Sequence, residues 1–340
     1  MKTSDFYYEL PKELIAQYPS ARRDQSLLMV INRTTGAIAH RRFYDLVDYL
    51  QAGDCLVFND SKVIRARLLG KKQTGAKVET LLIKHIEKNF WQALIKPLKR
   101  LKENDIIMIE QDFQIKLLQK NSDGTCVVEL MGQNDMEEQI ERYGKIPLPP
   151  YIVDDEKKYD RYQTVYAKNP GSVAAPTAGL HFSPNLLDKL KEKKISQAFL
   201  TLHVGIDTFR PVKEEYVEEH KMHREYYHIS KESADVINQT KESGGRVIPV
   251  GTTAMRTLEG CMKKHGKIIP VADSTDIYIY PPYHFQIADA LITNFHLPQS
   301  TLLMLVSAFY DREKLLDAYV EAIEQKYRFF SFGDAMFLHS

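Results

Sequence analysis

Histidine residues are concentrated in the second half of the chain, where they could carry proton-transfer chemistry. Eight of the 11 histidines lie between positions 181 and 296: His181, His203, His220, His223, His228, His265, His284 and His296. A neutral imidazole accepts protons efficiently because its pKa lies close to the pH at which most enzymes work. This concentration predicts a catalytic site in that half of the chain.

Metal binding is the alternative use of these side chains. His220 and His223 are spaced i and i+3, so they would share one face of a helix. A zinc site needs further ligands, usually from a second helix or a cysteine pair. The sequence has no HExxH or CxxC motif, and Cys55, Cys126 and Cys261 are far apart. We therefore expect no metal site and, because three scattered cysteines do not form a disulfide framework, a reducing cytoplasmic location.

A loop over residues 171–182, with the sequence GSVAAPTAGLHF, precedes the helix start Ser183-Pro184. Glycine and alanine present mostly backbone, and glycine allows the backbone to approach a ligand closely. The loop either contributes amides to a site or is a tight connection between packed elements. The paired arginines Arg22 and Arg23 also have two interpretations, because they could hold an anion or be ordinary surface side chains.

Two strand ends are the other candidate positions. The strand over residues 198–205 places Leu200, Leu202 and Val204 on one face and Thr201 and His203 on the other. His203 therefore faces either solvent or a site near the end of the strand, where open α/β sheets bind ligands.

The second strand, over residues 246–250, is followed directly by Gly251, Thr252 and Thr253 and then by a helix that closes at Gly266. Free amides and hydroxyls at a helix N-terminus form an anion or ribose site, although a well-capped helix needs only one of the threonines.

The supporting elements predict an α/β protein with an all-β insert. Short strand-like runs separated by turn signals follow one another in residues 53–131, which indicates a small barrel or sandwich. The expected runs are 55–59, 63–69, 77–84, 90–95, 105–109, 113–118 and 125–131, and a further strand is expected at 275–280. With a short helix at 135–143 and a proline-rich linker at 144–152, the predicted domains are an α/β domain of residues 1–60 and 147–340 and an inserted barrel of residues 61–146.

Composition limits the classes of function. Lys+Arg 46 against Asp+Glu 45 gives a formal charge of +1, so a nucleic-acid contact requires a local basic patch. Basic residues near the predicted barrel strands are either such a patch or solubilising side chains: Lys62, Arg65, Arg67, Lys71 and Lys72. No apolar run approaches the ~20 residues that span a bilayer. The sequence also lacks the GxGxxG, GxxxxGK[ST] and GxSxG motifs.

Distinctive motifs follow one another along the whole chain. They are Arg23-Asp24, residues 53–54 through 66–68, PLPPY at 147–151, DRYQTVY at 160–166, the 171–182 loop, LTLHVG at 200–205, EHKMH at 219–223, VGTTAMRTLE at 250–259, TNFHLP at 293–298 and YRFFSFGDAM at 327–336. Together they resemble the motifs of the S-adenosylmethionine:tRNA ribosyltransferase-isomerase family of queuosine biosynthesis. The chain departs from the family at Asp207 and Pro282, where the family usually has glycine.

The resemblance implies an α/β domain interrupted by a small β-barrel and an unusual use of S-adenosylmethionine. Its ribosyl moiety would be transferred to 7-aminomethyl-7-deazaguanine in the tRNA anticodon loop and isomerised to give epoxyqueuosine, with release of adenine and methionine. The expected partners are S-adenosylmethionine, consumed as a co-substrate, and the tRNA anticodon arm. We expect no other cofactor, no membrane contact and a monomer. A histidine metal hydrolase and a tRNA-binding module without chemistry are the rival hypotheses.

Such a reaction needs a base for the C5′ proton, binding groups for methionine and ribose, and a carboxylate for the aminomethyl cation. The candidate bases are His203, His181, His223 and His296. Thr252, Thr253 and Arg256 are candidates for the methionine carboxylate or ribose hydroxyls, Asp160 and Glu219 for cations, and Arg161 for a phosphate. Further substrate-binding candidates in the motifs are Thr177, Gly179 and Asn294.

Overall fold

The computed structural model describes residues 1–133, 135–205 and 212–340. Asp207, one of the two departures from the family, lies outside the described residues. The α-helices of the described residues are α1 (Leu46–Tyr49), α2 (Met136–Tyr143), α3 (Pro184–Glu192), α4 (Lys231–Glu242), α5 (Thr252–His265), α6 (Thr301–Phe309) and α7 (Arg312–Glu324). None of them is long and apolar enough to cross a membrane.

The strands of the described residues form two larger sheets, a barrel and a strand pair. They are β1 (Leu27–Asn32), β2 (Ile38–Arg42), β3 (Cys55–Asn59), β4 (Ser61–Val63), β5 (Arg67–Lys72), β6 (Lys77–Glu87), β7 (Phe90–Lys96), β8 (Ile106–Glu110), β9 (Phe113–Lys120), β10 (Cys126–Gly132), β11 (Asn169–Ser172), β12 (Ser196–Leu202), β13 (Glu225–Ile229), β14 (Val247–Pro249), β15 (Val271–Thr275), β16 (Leu291–Asn294) and β17 (Ala335–His339).

The five-stranded sheet, in the order β14-β3-β12-β13-β15, carries the strand ends that the sequence singles out. Strands β14, β3 and β12 run parallel, whereas β13 and β15 are antiparallel to their neighbours. Every residue of β3 is buried, as expected for a central strand covered on both faces. The second sheet has the order β16-β17-β1-β2, and β4 pairs with β11.

The inserted barrel closes in the order β10-β7-β6-β5-β8-β9. Its interior is apolar, with Leu68, Leu82 and Phe113 fully buried, and α2 packs against it through Ile140. The mixed α/β fold with a small closed barrel is thus confirmed. The barrel strands lie inside the predicted insert, but β4 pairs with β11 of the α/β part, and the domain boundaries at 60 and 146 stay a prediction.

One predicted strand is wrong. A strand is expected at 275–280, but β15 lies earlier in the chain and ends at Thr275. Residues 276–280 follow it without regular structure. Ile277 and Ile279 are both buried in the core of the α/β part, so their alternation with tyrosines reflects packing without strand pairing. The peptide bond that precedes Pro282 is cis.

Candidate active site

The carboxyl ends of the parallel strands β3, β12 and β14 meet at one edge of the five-stranded sheet. Asn59 ends β3 and is followed by Asp60, His203 follows β12, and Gly251 lies two residues beyond β14. Sheets of this kind bind ligands outside the carboxyl ends of their strands. We call the polar residues at this edge the strand-end site.

Asn59 connects three of these chain segments through hydrogen bonds of its side chain. Its Nδ2 donates to the Leu202 carbonyl at 3.0 Å and to Thr253 Oγ1 at 3.4 Å, while its Oδ1 accepts from the Leu202 amide at 3.0 Å. The amide is fully buried. Because both ends of the side chain are used, Asn59 fixes the start of α5 relative to β12.

Asp60 is a buried carboxylate that the sequence analysis missed. It accepts a hydrogen bond from Thr201 Oγ1 at 2.7 Å, and Asn169 Nδ2 lies 3.0 Å from each of its carboxylate oxygens. These partners hold a negative charge beside the end of β12. The available signal was its position in a polar run, residues 59–61, directly after the apolar residues 55–58 of β3.

His203 is half-buried and packs against the backbone of Gly171. An added Cβ at residue 171 would lie 3.0 Å from Cε1 of the imidazole. The Nδ1 atom is buried and has no hydrogen-bond partner among the residues that the structure describes. Burial lowers the pKa of His203, and the negative charge of Asp60 acts in the opposite direction. The ring is therefore neutral near pH 7, with one nitrogen available to accept a proton.

Arg256 and Glu225 form a buried ion pair at the same edge. Arg256 Nη1 donates to Glu225 Oε2, and Arg256 Nε donates to the Ile277 carbonyl at 3.4 Å. The second terminal nitrogen, Nη2, is buried and finds no partner within the described part of the chain. Glu225 Oε1 also accepts from the Gly205 amide at 3.3 Å, so the pair lies beside the exit of β12.

The predicted residues Thr252, Thr253 and Arg256 lie together on buried turns of α5. Gly251 adopts a φ of 93° at the helix N-cap and receives no side-chain cap. A positive φ is readily reached only by glycine, which explains the residue type at this turn. The first amides of α5 thus remain available to an anion or a hydroxyl.

His181 and Asn294, both predicted site residues, form a second buried group. The Ser26 hydroxyl lies 2.7 Å from His181 Nδ1, and Asn294 Nδ2 lies 3.1 Å from Nε2. The ring stacks on Phe43 with the centroids 4.9 Å apart. Burial, together with the positive charges of Arg328 and Arg23, lowers the pKa of His181 to about 3. Since both ring nitrogens are engaged, this geometry favours a positioning role over proton abstraction.

The remaining candidate histidines do not join the strand-end site. His296 is buried, its Nε2 lies 2.8 Å from Thr293 Oγ1, and burial lowers its pKa to about 3. His223 lies on an exposed segment ahead of β13. Among the four candidate bases, His203 is the one whose Nδ1 lies at the carboxyl edge of the sheet without a hydrogen-bond partner in residues 1–133, 135–205 and 212–340.

The other substrate-binding candidates are dispersed. Asp160 and Glu219 are exposed, and Thr177 opens a short 3-10 helix. Gly179 faces the Tyr166 side chain, because an added Cβ would come within 1.9 Å of the phenol oxygen. Packing alone therefore accounts for glycine at position 179. Arg161 donates to the carbonyls of residues 20 and 21 at 2.8 and 3.3 Å.

Glu259 is a further motif residue that the sequence analysis did not single out. It is fully buried and accepts hydrogen bonds from the amides of Gln286 and Ile287 and from the Tyr283 hydroxyl. The carboxylate thus anchors the 283–288 segment to α5. In residues 1–133, 135–205 and 212–340, no group of three His, Cys, Asp or Glu side chains is placed to hold a metal ion.

Polar groups gathered at the ends of parallel strands, beside a helix N-terminus, are typical of an α/β enzyme. A family model described as queuosine biosynthesis protein matches residues 3–338. The chain is 53% identical to the S-adenosylmethionine:tRNA ribosyltransferase-isomerase of Sulfurihydrogenibium sp. (strain YO3AOP1), over 99% of this chain and 100% of that protein. It is 51% identical to the protein of the same name from Acetivibrio thermocellus, again over 99% and 100% of the two chains.

A solved structure gives the same result. The crystal structure of S-adenosylmethionine tRNA ribosyltransferase from Thermotoga maritima matches with 39% identity and a TM-score of 0.58, over 98% of this chain and 100% of that one. The chain therefore belongs to the queuosine biosynthesis family of S-adenosylmethionine:tRNA ribosyltransferase-isomerases, and the family predicted from its motifs is confirmed.

Proposed function

We propose that this enzyme transfers the ribosyl moiety of S-adenosylmethionine to 7-aminomethyl-7-deazaguanine in the tRNA anticodon loop and isomerises it. The products are epoxyqueuosine in the RNA, free adenine and methionine. The names of the full-length relatives support ribosyl transfer from S-adenosylmethionine to tRNA, and the family supports queuosine biosynthesis. The motifs from residue 23 to residue 336 support the particular base and products.

The observation that supports the chemistry best is His203 at the strand ends, whose Nδ1 has no hydrogen-bond partner among the residues that the structure describes. In the proposed reaction the half-buried imidazole takes a C5′ proton that the adjacent sulfonium makes acidic. The lowered pKa keeps the imidazole neutral before the step. The buried carboxylate of Asp60 then stabilises the imidazolium that forms.

Arg256 is our candidate for the methionine carboxylate. Its Nη1 is committed to Glu225, but Nη2 is left over in a buried position, where a carboxylate would form a charge-assisted hydrogen bond. The first amides of α5 and the hydroxyls of Thr252 and Thr253 lie nearby and suit ribose hydroxyls. Methionine leaves as a thioether when an alkoxide oxygen of the former ribose displaces it from C5′ and closes the epoxide. Adenine leaves from C1′ and takes up a proton, and the aminomethyl nitrogen loses a proton as it forms its new bond to the ribosyl carbon skeleton.

The proposed reaction needs a carboxylate to receive the aminomethyl cation of the modified base. Asp160 and Glu219 are candidates, and both are exposed. Asp60 is the carboxylate held at that site, through Thr201 and Asn169. S-adenosylmethionine is the only co-substrate of this scheme, and a monomer acting in the cytoplasm without another cofactor stays our expectation.

The test is to incubate the protein with S-adenosylmethionine and an anticodon stem-loop that carries the modified base. Free adenine and the mass of the RNA are measured for wild type, His203→Ala and a control, His228→Ala. His228 lies on the neighbouring strand β13 but is exposed. We expect adenine release that depends on the modified RNA, and its loss in His203→Ala alone, with binding of both substrates retained.

Two results would contradict the proposal. RNA binding without adenine release in the wild type would indicate a binding module instead of an enzyme. Undiminished adenine release by His203→Ala would preserve the reaction but remove His203 as its base.

A further inference from the structure

A second polar depression lies away from the strand-end site, beside the edge strand β2. It encloses about 540 Å³, and the residues that define it here are Ser20, Ser26, Arg42, Tyr44, Lys326 and Arg328. We call it the arginine cleft. It is connected to the buried His181 through Ser26, whose hydroxyl bonds the imidazole at 2.7 Å.

Positive charge dominates the arginine cleft. Arg42, Lys326 and Arg328 line it, and Asp334 is the carboxylate among its lining residues. Asp334 is almost fully buried and accepts from the amides of Leu27 and Arg328, both at 2.8 Å. One buried carboxylate against three cations leaves an excess of positive charge in a chain whose formal net charge is only +1.

The guanidinium groups are held in place by uncharged acceptors. Arg42 Nη1 donates to the Gln25 carbonyl at 2.9 Å, and Arg328 donates to the Tyr18 carbonyl at 3.0 Å and to Ser20 Oγ at 2.6 Å. Carbonyl and hydroxyl oxygens orient a guanidinium without cancelling its charge. Arg328 also forms an ion pair with the buried Asp334 at 3.5 Å, so Arg42 and Lys326 carry the excess positive charge that preorganises the cleft for an anion.

Two more arginines, Arg161 and Arg23, lie close to Ser20 of the arginine cleft. Arg161 donates to the Ser20 carbonyl at 2.8 Å, and Arg23 donates to the carbonyls of Leu180 and Gln163. Burial and the nearby charge of Arg161 lower the pKa of Arg23. Arg23 and Arg161 therefore add to the positive charge close to Ser20.

An aromatic ring indicates which anion fits. Tyr44 lines the arginine cleft and is 47% exposed. Proteins that bind single-stranded RNA combine cations for the phosphates with aromatic rings on which the bases stack. A free phosphate would use the cations but not the ring, so single-stranded RNA accounts for both features.

We propose that the arginine cleft binds a phosphodiester of the tRNA anticodon loop, with Tyr44 stacked on an adjacent base. The assignment rests on the proposed function, since that function makes tRNA the substrate. Arg42, Lys326 and Arg328 contact the phosphates, and Ser20 and Ser26 form the polar floor. The cleft thereby positions the loop while the modified base reaches the reacting groups.

The first test measures binding of a fluorescent anticodon stem-loop that carries the modified base, by anisotropy at several salt concentrations. Arg42→Gln/Lys326→Gln is compared with the matched control Arg41→Gln/Lys314→Gln. Arg41 is the exposed neighbour on β2 whose side chain points to the other face, and Lys314 is exposed on α7. Arg328 is left intact because it also holds Tyr18 and Ser20.

We expect the cleft variant to bind the stem-loop at least about tenfold more weakly near 0.1 M salt. The slope of log K against log salt should become less negative by roughly 1.4. Two phosphate contacts are lost, and each contributes about −0.7 to the slope through released counterions. The control should retain both the affinity and the slope of the wild type. Equal affinity and slope in the two double variants would overturn the proposal.

The second test separates stacking from charge. Tyr44→Ala should weaken stem-loop binding about fivefold or more without a change in the salt slope, whereas Tyr44→Phe should bind like the wild type. Wild-type binding by Tyr44→Ala would remove the stacking role. Adenine release by the wild type is measured separately at saturating RNA, so a failure of the cleft assignment is distinct from a failure of the proposed function.

Discussion

The backbone of Gly171 lies directly against the imidazole ring of His203. An added Cβ at residue 171 would be 3.0 Å from Cε1 and 3.1 Å from Nδ1, closer than ordinary van der Waals contact. Gly171 also adopts a φ of 130°, which other residues rarely reach. The glycine-rich loop and the candidate base therefore form one unit, in which the loop fixes the position of the ring.

Gly171→Ala should displace the His203 ring and lower kcat for adenine release, by on the order of a hundredfold if the shift approaches 1 Å. Gly75→Ala is the matched control, because Gly75 also has a positive φ, 84°, but nothing within 4 Å of an added Cβ. Adding Gly171→Ala to His203→Ala should cause little further loss, since the two changes act on one group. If the loss of kcat in the double variant equalled the product of the losses in the two single variants, this coupling would be contradicted.

The pH dependence of the reaction should reflect the buried position of His203. Burial lowers its pKa from the ordinary value of 6.5, so the ring stays neutral and active below that pH. We expect the acid limb of kcat/KM for adenine release to lie below pH 6.5. In Asp60→Asn the limb should move to still lower pH, because the charge that raises the pKa is removed. An acid limb at or above pH 6.5 would argue against His203 as the base.

His296 should make the fold sensitive to acid. Its pKa is about 3 in the folded protein because of burial, against an ordinary value of 6.5. In the unfolded chain, His296 therefore binds a proton as the pH falls below 6.5. In the folded chain, the same residue binds a proton only near pH 3. The stability due to the neutral ring is complete above pH 6.5 and is lost as the pH falls toward 3.

The predicted size of this effect is about 1.4 kcal/mol of unfolding free energy per pH unit. Urea unfolding between pH 7 and pH 4 should therefore show a shallower pH slope for His296→Gln than for the wild type. His228→Gln is the control, because its side chain is exposed. Parallel slopes for His296→Gln and the wild type would contradict the buried neutral state, whatever the absolute stability of the variant.

The barrel was predictable because its determinants are local. Alternating apolar residues in runs of five to eight, with turn residues between them, specify strands that bury one face, and β7, β9 and β10 follow that pattern. Residues 277 and 279 show where the same signal fails, since a non-strand segment can bury alternate side chains in a core.

The candidate site was only partly predictable because its contacts are non-local. His181 looked like a base from its motif, but its partners Ser26 and Asn294 are 155 and 113 positions away in the sequence. Asp60 acquires its role through Thr201, 141 positions away. Residue types and motifs can nominate polar groups, whereas only the fold decides which nitrogen is left without a partner.

The buried pair of Arg256 and Glu225 gives the last prediction, which separates stability from substrate binding. The two side chains are 5% and 8% exposed, so neither charge can be solvated when its partner is removed. Glu225→Gln should therefore destabilise the protein by about 3–5 kcal/mol. The double variant Glu225→Gln/Arg256→Gln should be more stable than Glu225→Gln, because it leaves no uncompensated buried charge.

That double variant also tests the role of Arg256 Nη2. If this nitrogen binds the methionine carboxylate, the folded double variant should show a KM for S-adenosylmethionine raised by about tenfold or more, as expected for a lost charge-assisted hydrogen bond. The KM for the RNA should change little, because Arg256 lies at the strand-end site and not in the arginine cleft. An unchanged KM for S-adenosylmethionine in a folded double variant would limit the pair to holding β13 and α5 together, and the carboxylate would then have to be bound by the amides at the start of α5.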